Sequence, residues 1–276
     1  MDSQGKARNR QHMLTEQRRQ VILEQLHSHK VVKTSDLSEV FAVSPMTIRN
    51  DLNALAEQGQ LVRVHGGAIA RQWLTAEPSY EDKTSINRSE KEAIGREAAS
   101  LVEEGMAVFI GNGTTTMQII KHLPRNLRFR VFTNALNHAL EISGIPLAEV
   151  FVVGGYLRDV SLGMVGLLAH QALKGIYFDL SFLGVNGISV DHGLTIPSLE
   201  EAETAAEIIA HSQRTIVVAD HTKFGVVAHG KIADITDVSG IITDSGVDPQ
   251  CMSSLSGLDI EINTAIVGQE VRAETN

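Results

Sequence analysis

The chain has 276 residues, 43% of them hydrophobic, enough for one large domain or two ordinary ones with a sizeable core. No apolar run approaches the ~18 residues of a membrane helix, and residues 1–13 are polar and basic, unlike a secretory signal. The single cysteine, Cys251, excludes an internal disulfide framework and any Cys-x-x-Cys metal or redox site, so the expected compartment is the cell interior, the cytoplasm. The net charge of −9 is uneven. Residues 1–71 hold ten Lys/Arg against seven Asp/Glu, and the remainder holds fourteen against twenty-six. A mildly basic head on an acidic body predicts that only the head meets a polyanion.

Residues 14–30 read as a first helix, with Val21, Ile22 and Leu26 on one face. Thr34 or Ser35 can cap a second, whose inner face would be Leu37, Val40 and Phe41. After a short turn, Ser44 suits an N-cap and Pro45 the first helical position, where its missing N–H costs nothing. The third helix carries Ile48, Leu52 and Leu55 inward, and Gly59 is its expected terminator. Leu61–Val64 reads as a strand, His65-Gly66-Gly67 as a turn and Ala68–Ala70 as a returning strand. These elements define a head over 14–70, after a disordered tail at 1–13 and before a linker at 71–89.

Beyond the linker the pattern changes. A helix over about 89–102 leads to apolar strands at 107–110, 131–132, 150–153, 180–183, 215–219 and 240–242, most of them separated by helical stretches. Such alternation predicts an α/β body over 90–268 with a mainly parallel sheet covered on both faces, then a tail at 269–276.

Helix, short turn and helix is the geometry that lays a second helix in the DNA major groove. With Ile48, Leu52 and Leu55 inward, the outward candidates are Ser44, Pro45, Met46, Thr47, Arg49, Asn50 and Asn53. Arg pairs with guanine and Asn with adenine, while Thr and a helix N-terminus hold phosphate. Arg63 and His65 would touch the backbone from a wing. Asp51 leans outward and is acidic, so it is expected to pair within the head with an arginine of the first helix. The run Arg18-x3-Ile22-x3-Leu26, then Ser44-x2-Thr47-Ile48-Arg49-Asn50-Asp51-Leu52, Leu55-x3-Gly59 and His65-Gly66-Gly67-Ala68 resembles the DeoR-type winged helix-turn-helix, with the motif at about 32–51. The resemblance implies a transcription regulator, most often a repressor of sugar-catabolism genes.

In the body, Gly111-Asn112-Gly113-Thr114-Thr115-Thr116 follows a strand and opens a helix. Glycine brings the backbone close to a ligand, and the N–H groups of a helix start favour an anion such as phosphate. Thr133, Asn134, Gly154, Gly155, Asp179, Asn186, Glu200, Asp220 and Lys223 also punctuate predicted strand ends, where open parallel sheets bind ligands. Each has a plain structural reading as cap, turn or ion pair; their convergence is what predicts a pocket. The pieces Gly113-Thr114-Thr115, Gly154-Gly155-x-Leu157-Arg158, Gly193-Leu194-Thr195, Glu200-Glu201-Ala202-Glu203 and Asp220-x2-Lys223-Phe224-Gly225 resemble the DeoR sensor domain. That resemblance implies an effector domain similar to ribose-5-phosphate isomerase that binds a phosphorylated sugar or related metabolite. Two positions depart from the family: Asn186 stands where Asp is more frequent, and Ala205 where a basic residue is usual.

These readings predict a non-enzymatic repressor that binds double-stranded operator DNA and a phosphorylated effector as a homodimer or homotetramer, with no metal, cofactor or membrane partner. The alternative is a sugar-phosphate isomerase with an N-terminal interaction domain, for which Glu200 is the candidate base and Lys223 the oxyanion stabiliser.

Overall fold

The computed structural model describes residues 15–29, 31–57, 60–64, 66–70 and 77–268. The expected terminator Gly59, the wing residue His65 and both tails lie outside them. The chain forms two units that divide between Glu77 and Pro78.

The first unit contains α1 (Thr15–His29), β1 (Val31–Lys33), α2 (Thr34–Phe41), α3 (Pro45–Glu57), β2 (Leu61–Val64) and β3 (Gly67–Ala70). Ile22, Leu26, Leu37, Phe41, Ile48, Leu52 and Leu55 are buried against one another, so the spacing read from the sequence is the spacing of the core. Two details differ. Val40 is exposed, because its position on α2 lies outside the stripe that Leu37 and Phe41 form. The N-cap of α2 is Lys33, whose side chain makes no capping bond, because Thr34 is already helical and buried. A third strand was not foreseen: β1 pairs antiparallel with β3, giving the order β1-β3-β2. A side chain on Gly67 would lie 2.0 Å from the Val32 carbonyl oxygen, so glycine is required where β3 crosses β1.

The second unit opens with α4 (Tyr80–Thr84), closed by a Ser79–Asp82 capping box, inside the stretch read as linker. Then follow α5 (Arg88–Ala99), β4 (Ala107–Ile110), α6 (Thr114–His122), β5 (Phe129–Thr133), α7 (Leu136–Ile142) and β6 (Ala148–Val152). A hairpin of β7 (Tyr156–Leu157) and β8 (Met164–Val165) leads to α8 (Leu167–Leu173) and β9 (Leu180–Gly184). The chain continues through β10 (Gly187–Ser189), β11 (Gly193–Ile196), α9 (Leu199–Ala210), β12 (Thr215–Val218), β13 (Gly230–Ala233), β14 (Gly240–Asp244), α10 (Pro249–Leu255) and β15 (Glu261–Ala265).

Seven strands form one parallel sheet in the order β15-β14-β12-β9-β4-β5-β6. Its central strands are buried on both sides, as their uninterrupted apolar runs require. One face packs on α5, α6 and α7 through residues such as Ile94, Ile119 and Ile142. The other packs on α8, α9 and α10 through Leu173, Ile208 and Leu255. The sequence reading missed β15 and the small antiparallel sheet β10-β11-β13. After β4 the chain winds outward through β5 and β6, then returns to β9 and winds the other way. The loops that leave β4 and β9 therefore diverge, and the crevice between them at the carboxyl ends is where such sheets bind ligands.

Candidate functional site

In the first unit, Ser44 caps α3: its Oγ accepts the Thr47 N–H at 3.1 Å and lies 2.9 Å from the Thr47 hydroxyl. Pro45, Met46, Arg49, Asn50 and Asn53 are exposed, with Thr47 half-buried, along the face opposite Ile48, Leu52 and Leu55. Met46 is 59% exposed, an apolar side chain presented to solvent at the helix start. Arg63 of β2 donates to Asn53 Oδ1 at 2.9 Å and to the Gly67 carbonyl, which ties the wing to α3. Burial and the nearby positive charge of Arg49 hold the Arg63 guanidinium below its ordinary range, so the two cations share one surface. Asp51 does not lean outward. It is buried, and accepts from Arg18 Nε at 2.6 Å and Arg19 Nε at 3.0 Å. The pairing expected for it holds, because a buried carboxylate requires partners.

In the second unit, the β4–α6 loop lies at the switch point. Gly111 donates to the Phe182 carbonyl of β9 at 2.9 Å. Asn112 is a hub: its backbone N–H donates to Asn134 Oδ1 at 3.0 Å, its Oδ1 accepts from Asn134 Nδ2 at 3.2 Å, and its Nδ2 donates to Glu201 Oε1 at 3.1 Å. The other Glu201 oxygen meets Arg158 at 3.0 Å. A side chain at Gly163 would strike Asn112 at 2.7 Å, so that approach also demands glycine. Gly113, with φ at +146°, precedes α6, and its carbonyl accepts from His138 Nε2 at 3.1 Å. Nε2 is therefore the protonated nitrogen. His138 is fully buried, which pushes its pKa down to about 4. Thr114 and Thr115 open the helix, both buried.

Not every predicted residue joins this loop. Thr116 is fully buried and returns its hydroxyl to the Gly113 carbonyl at 3.0 Å. Thr133 is fully buried, and its Oγ1 accepts the Ala135 N–H. Asp179 lies at the opposite end of the sheet, because it precedes β9; its carboxylate accepts from the Ala107 N–H at 2.7 Å. Gly155 packs where a side chain would lie 2.7 Å from the Val165 carbonyl, and Gly154 faces open space, both beyond the outer strand β6. Glu200 is exposed and accepts from Ser198; its neighbour Glu201, one position along α9, turns inward instead. Asn186 is half-buried after β9 and donates its backbone N–H to the Thr195 carbonyl.

Asp220, at the carboxyl end of β12, belongs to a second group that the sequence did not reveal. Its carboxylate accepts from Asn87 Nδ2 at 3.0 Å and from the Thr222 hydroxyl. The charges of Lys223 and Lys91 act on it, and its pKa is lowered despite near-complete burial. Lys91 is buried, donates to the Lys83 carbonyl at 2.6 Å, and burial drops its pKa to about 8. Asp220 Oδ2 and Asn87 Oδ1 are buried with no hydrogen-bond partner in the structure. Beside them His221 donates to Asp244 at 2.8 Å, which raises the imidazole pKa. Lys91 and Asn87 escaped the sequence reading because they lie on and before a helix more than 120 residues upstream, with no motif around them.

A model of the DeoR-like helix-turn-helix domain matches residues 18–72, and one of the DeoR C-terminal sensor domain matches residues 86–245. The chain belongs to the DeoR family. A protein of Escherichia coli O157:H7 that carries the name of an aga operon transcriptional repressor is 34% identical over 253 residues, 90% of this chain and 93% of its own. The glycerol-3-phosphate regulon repressor of Escherichia coli K12 is 32% identical over 246 residues, 89% and 97% of the two chains. Ribose 5-phosphate isomerase A of Methanocaldococcus jannaschii superposes with a TM-score of 0.37 at 16% identity, over 50% of this chain and 55% of that one. In this DeoR-family chain the departure at Ala205 has a physical setting: the residue is buried on the core face of α9 with Ala202 and Ile208. Among the described residues no cluster of side chains suits a metal ion, and no helix is long and apolar enough to cross a membrane.

Proposed function

We propose that this chain is a cytoplasmic repressor of a carbohydrate-catabolism operon, whose body binds a phosphorylated sugar or sugar acid without turning it over. The observation that carries the reading is the Gly111–Thr115 loop at the switch point of a parallel sheet, opening α6 toward the crevice. The ligand class follows from chemistry. Lys91 and Lys223 supply positive charge for a phosphate, and the unpartnered oxygens of Asp220 and Asn87 accept from hydroxyl groups. Against turnover stand the two acids at the start of α9, where the candidate base lay: Glu201 is paired with Arg158, and Glu200 is exposed and bonded to Ser198. The relatives named as repressors support the regulatory half.

Head residues 14–70 would read the operator through Ser44, Pro45, Met46, Thr47, Arg49, Asn50 and Asn53, with Arg63 and His65 on the backbone. Two copies, or two pairs, would place heads on a repeated site. The effector must bind the DNA-competent and DNA-incompetent states unequally, since only that difference shifts the equilibrium. The test is a gel shift of duplexes from the chain's own promoter region at two salt concentrations, with and without a panel of sugar phosphates that is also screened for thermal stabilisation. Retardation that weakens with salt and responds to a stabilising sugar phosphate is expected. No retardation at low salt would overturn the reading.

A further inference from the structure

The two edges of the main sheet are built differently. On β15, Glu261 and Thr264 are exposed and Asn263 half-buried, polar residues that discourage another strand from pairing there. On β6, Phe151 and Val152 are exposed, and among the described strands β6 pairs only with β5. Exposed apolar side chains also stand on the elements that flank β6. Helix α7 turns Ala139 and Ile142 to the core and leaves Leu140 70% exposed. The chain leaving β6 stays against this side of the body: Val153 donates to the Thr133 carbonyl at 2.8 Å and Met164 to that of Asn134 at 2.6 Å. On it Tyr156, Leu167 and Leu168 stand between 65% and 73% exposed.

We infer that the β6 edge is the contact surface for a second copy of this chain, related by a two-fold axis. The inference rests on the two-headed reading above for the need of a second copy; the placement comes from the surface. At the exposures given, these six side chains, which flank the β6 edge from both faces of the sheet, present on the order of 800 Å² of mostly apolar area, about one side of a standard interface. The terminal segments 1–14 and 269–276 do not suit it, since they are dominated by charged and polar residues. A self-complementary contact does. Antiparallel pairing of two β6 strands about Val150 sets each Glu149 opposite Phe151 of the second copy, so like charges do not face each other.

Light scattering on the eluting full chain tests this. Wild type is expected at the mass of a dimer or tetramer. Leu140→Glu combined with Leu167→Glu should fall to half that mass or less with an unchanged circular dichroism spectrum, and Ile266→Glu, just after β15, should keep the wild-type mass. A monomeric wild type overturns the two-headed reading and the surface together. A wild-type mass that survives the double exchange overturns the surface alone. Should the double variant fail to fold, cross-linking decides: in a Cys251→Ser background, Phe151→Cys is expected to give a dimer band with a short bis-maleimide and Ile266→Cys none, and the reverse pattern overturns the placement.

Discussion

Asn112 donates to Glu201 at 3.1 Å across 89 residues of sequence, and Arg158 closes on the other carboxylate oxygen at 3.0 Å. One buried carboxylate thus ties the β4–α6 loop to α9 and to the segment after β7. Removing it takes from Arg158, whose side chain is only 18% exposed, the ion pair with Glu201. Glu201→Ala should therefore cost about 2–4 kcal/mol in urea unfolding, below the full penalty for a wholly buried pair. Glu200→Ala, at an exposed position beside a cap that still holds the Glu201 N–H, should cost under ~1 kcal/mol. Equal losses for the two would show that the carboxylates are not distinguished by their surroundings.

A second pair of exchanges separates stability from reading in the head. Asp51 is buried between Arg18 and Arg19, so Asp51→Ala strands two guanidiniums and should cost about 3 kcal/mol or more. DNA binding would then fail through unfolding. Arg49 is exposed, so Arg49→Ala should leave the thermal midpoint within a degree or two while weakening binding to the promoter duplex by ~10-fold or more. Anisotropy titrations alongside melting curves distinguish the two; an Arg49→Ala protein that binds normally removes this residue from the reading surface.

The head was legible because its core is local. Ile48, Leu52 and Leu55 repeat at helical spacing, and Ser44-Pro45 announces where the helix starts. In the body the β4–α6 loop was legible for the same reason: glycines, hydroxyls and a strand–helix junction sit within six residues. Of its partners, Asn134 stood among the candidates, but which acid would join it did not show. Glu200 and Glu201 are adjacent in a run of acids, and only the direction in which α9 presents each to the sheet decides which one is buried. Asp179 was misplaced because it precedes its strand, whereas only residues after the strands reach the crevice at their carboxyl ends. Lys91 carries no signature at all; its meaning comes from α5 delivering it to the carboxyl end of β12. The edge strand β15 escaped because its exposed polar residues erase the apolar run that marks a central strand.

His138 makes the stability of the body depend on pH in a defined window. Burial holds its pKa at about 4, below the ordinary 6.5, so the folded state keeps it neutral while the unfolded chain takes up a proton. Stability is thus fully present above pH 6.5 and is lost as pH falls from 6.5 toward 4, by roughly 3 kcal/mol at the lower end. His221 does not interfere, since its raised pKa confines its own effect to pH above 6.5, where its contribution fades as the ring deprotonates. In chemical denaturation at a series of pH values, His138→Gln should flatten the decline between pH 6.5 and 4. An unchanged slope would place the proton uptake elsewhere.

Lys91 offers the sharpest test of the anion-binding reading. Its pKa of about 8 means that the ammonium is largely charged at neutral pH and is lost as pH rises to 9. A bound phosphate favours the charged form, so affinity for the responding sugar phosphate should fall from pH 7 to 9. The phosphate itself adds little to that trend, because its second ionisation, near pH 6, is almost complete by then. Lys91→Met should bind ~10–100-fold more weakly at pH 7, as the loss of one charge-assisted hydrogen bond implies, and its affinity should no longer vary between pH 7 and 9. Isothermal titration at three pH values reads both effects. A variant that binds weakly but keeps the wild-type pH dependence would move the titrating cation away from Lys91, and one that binds as tightly as wild type would remove the residue from the site.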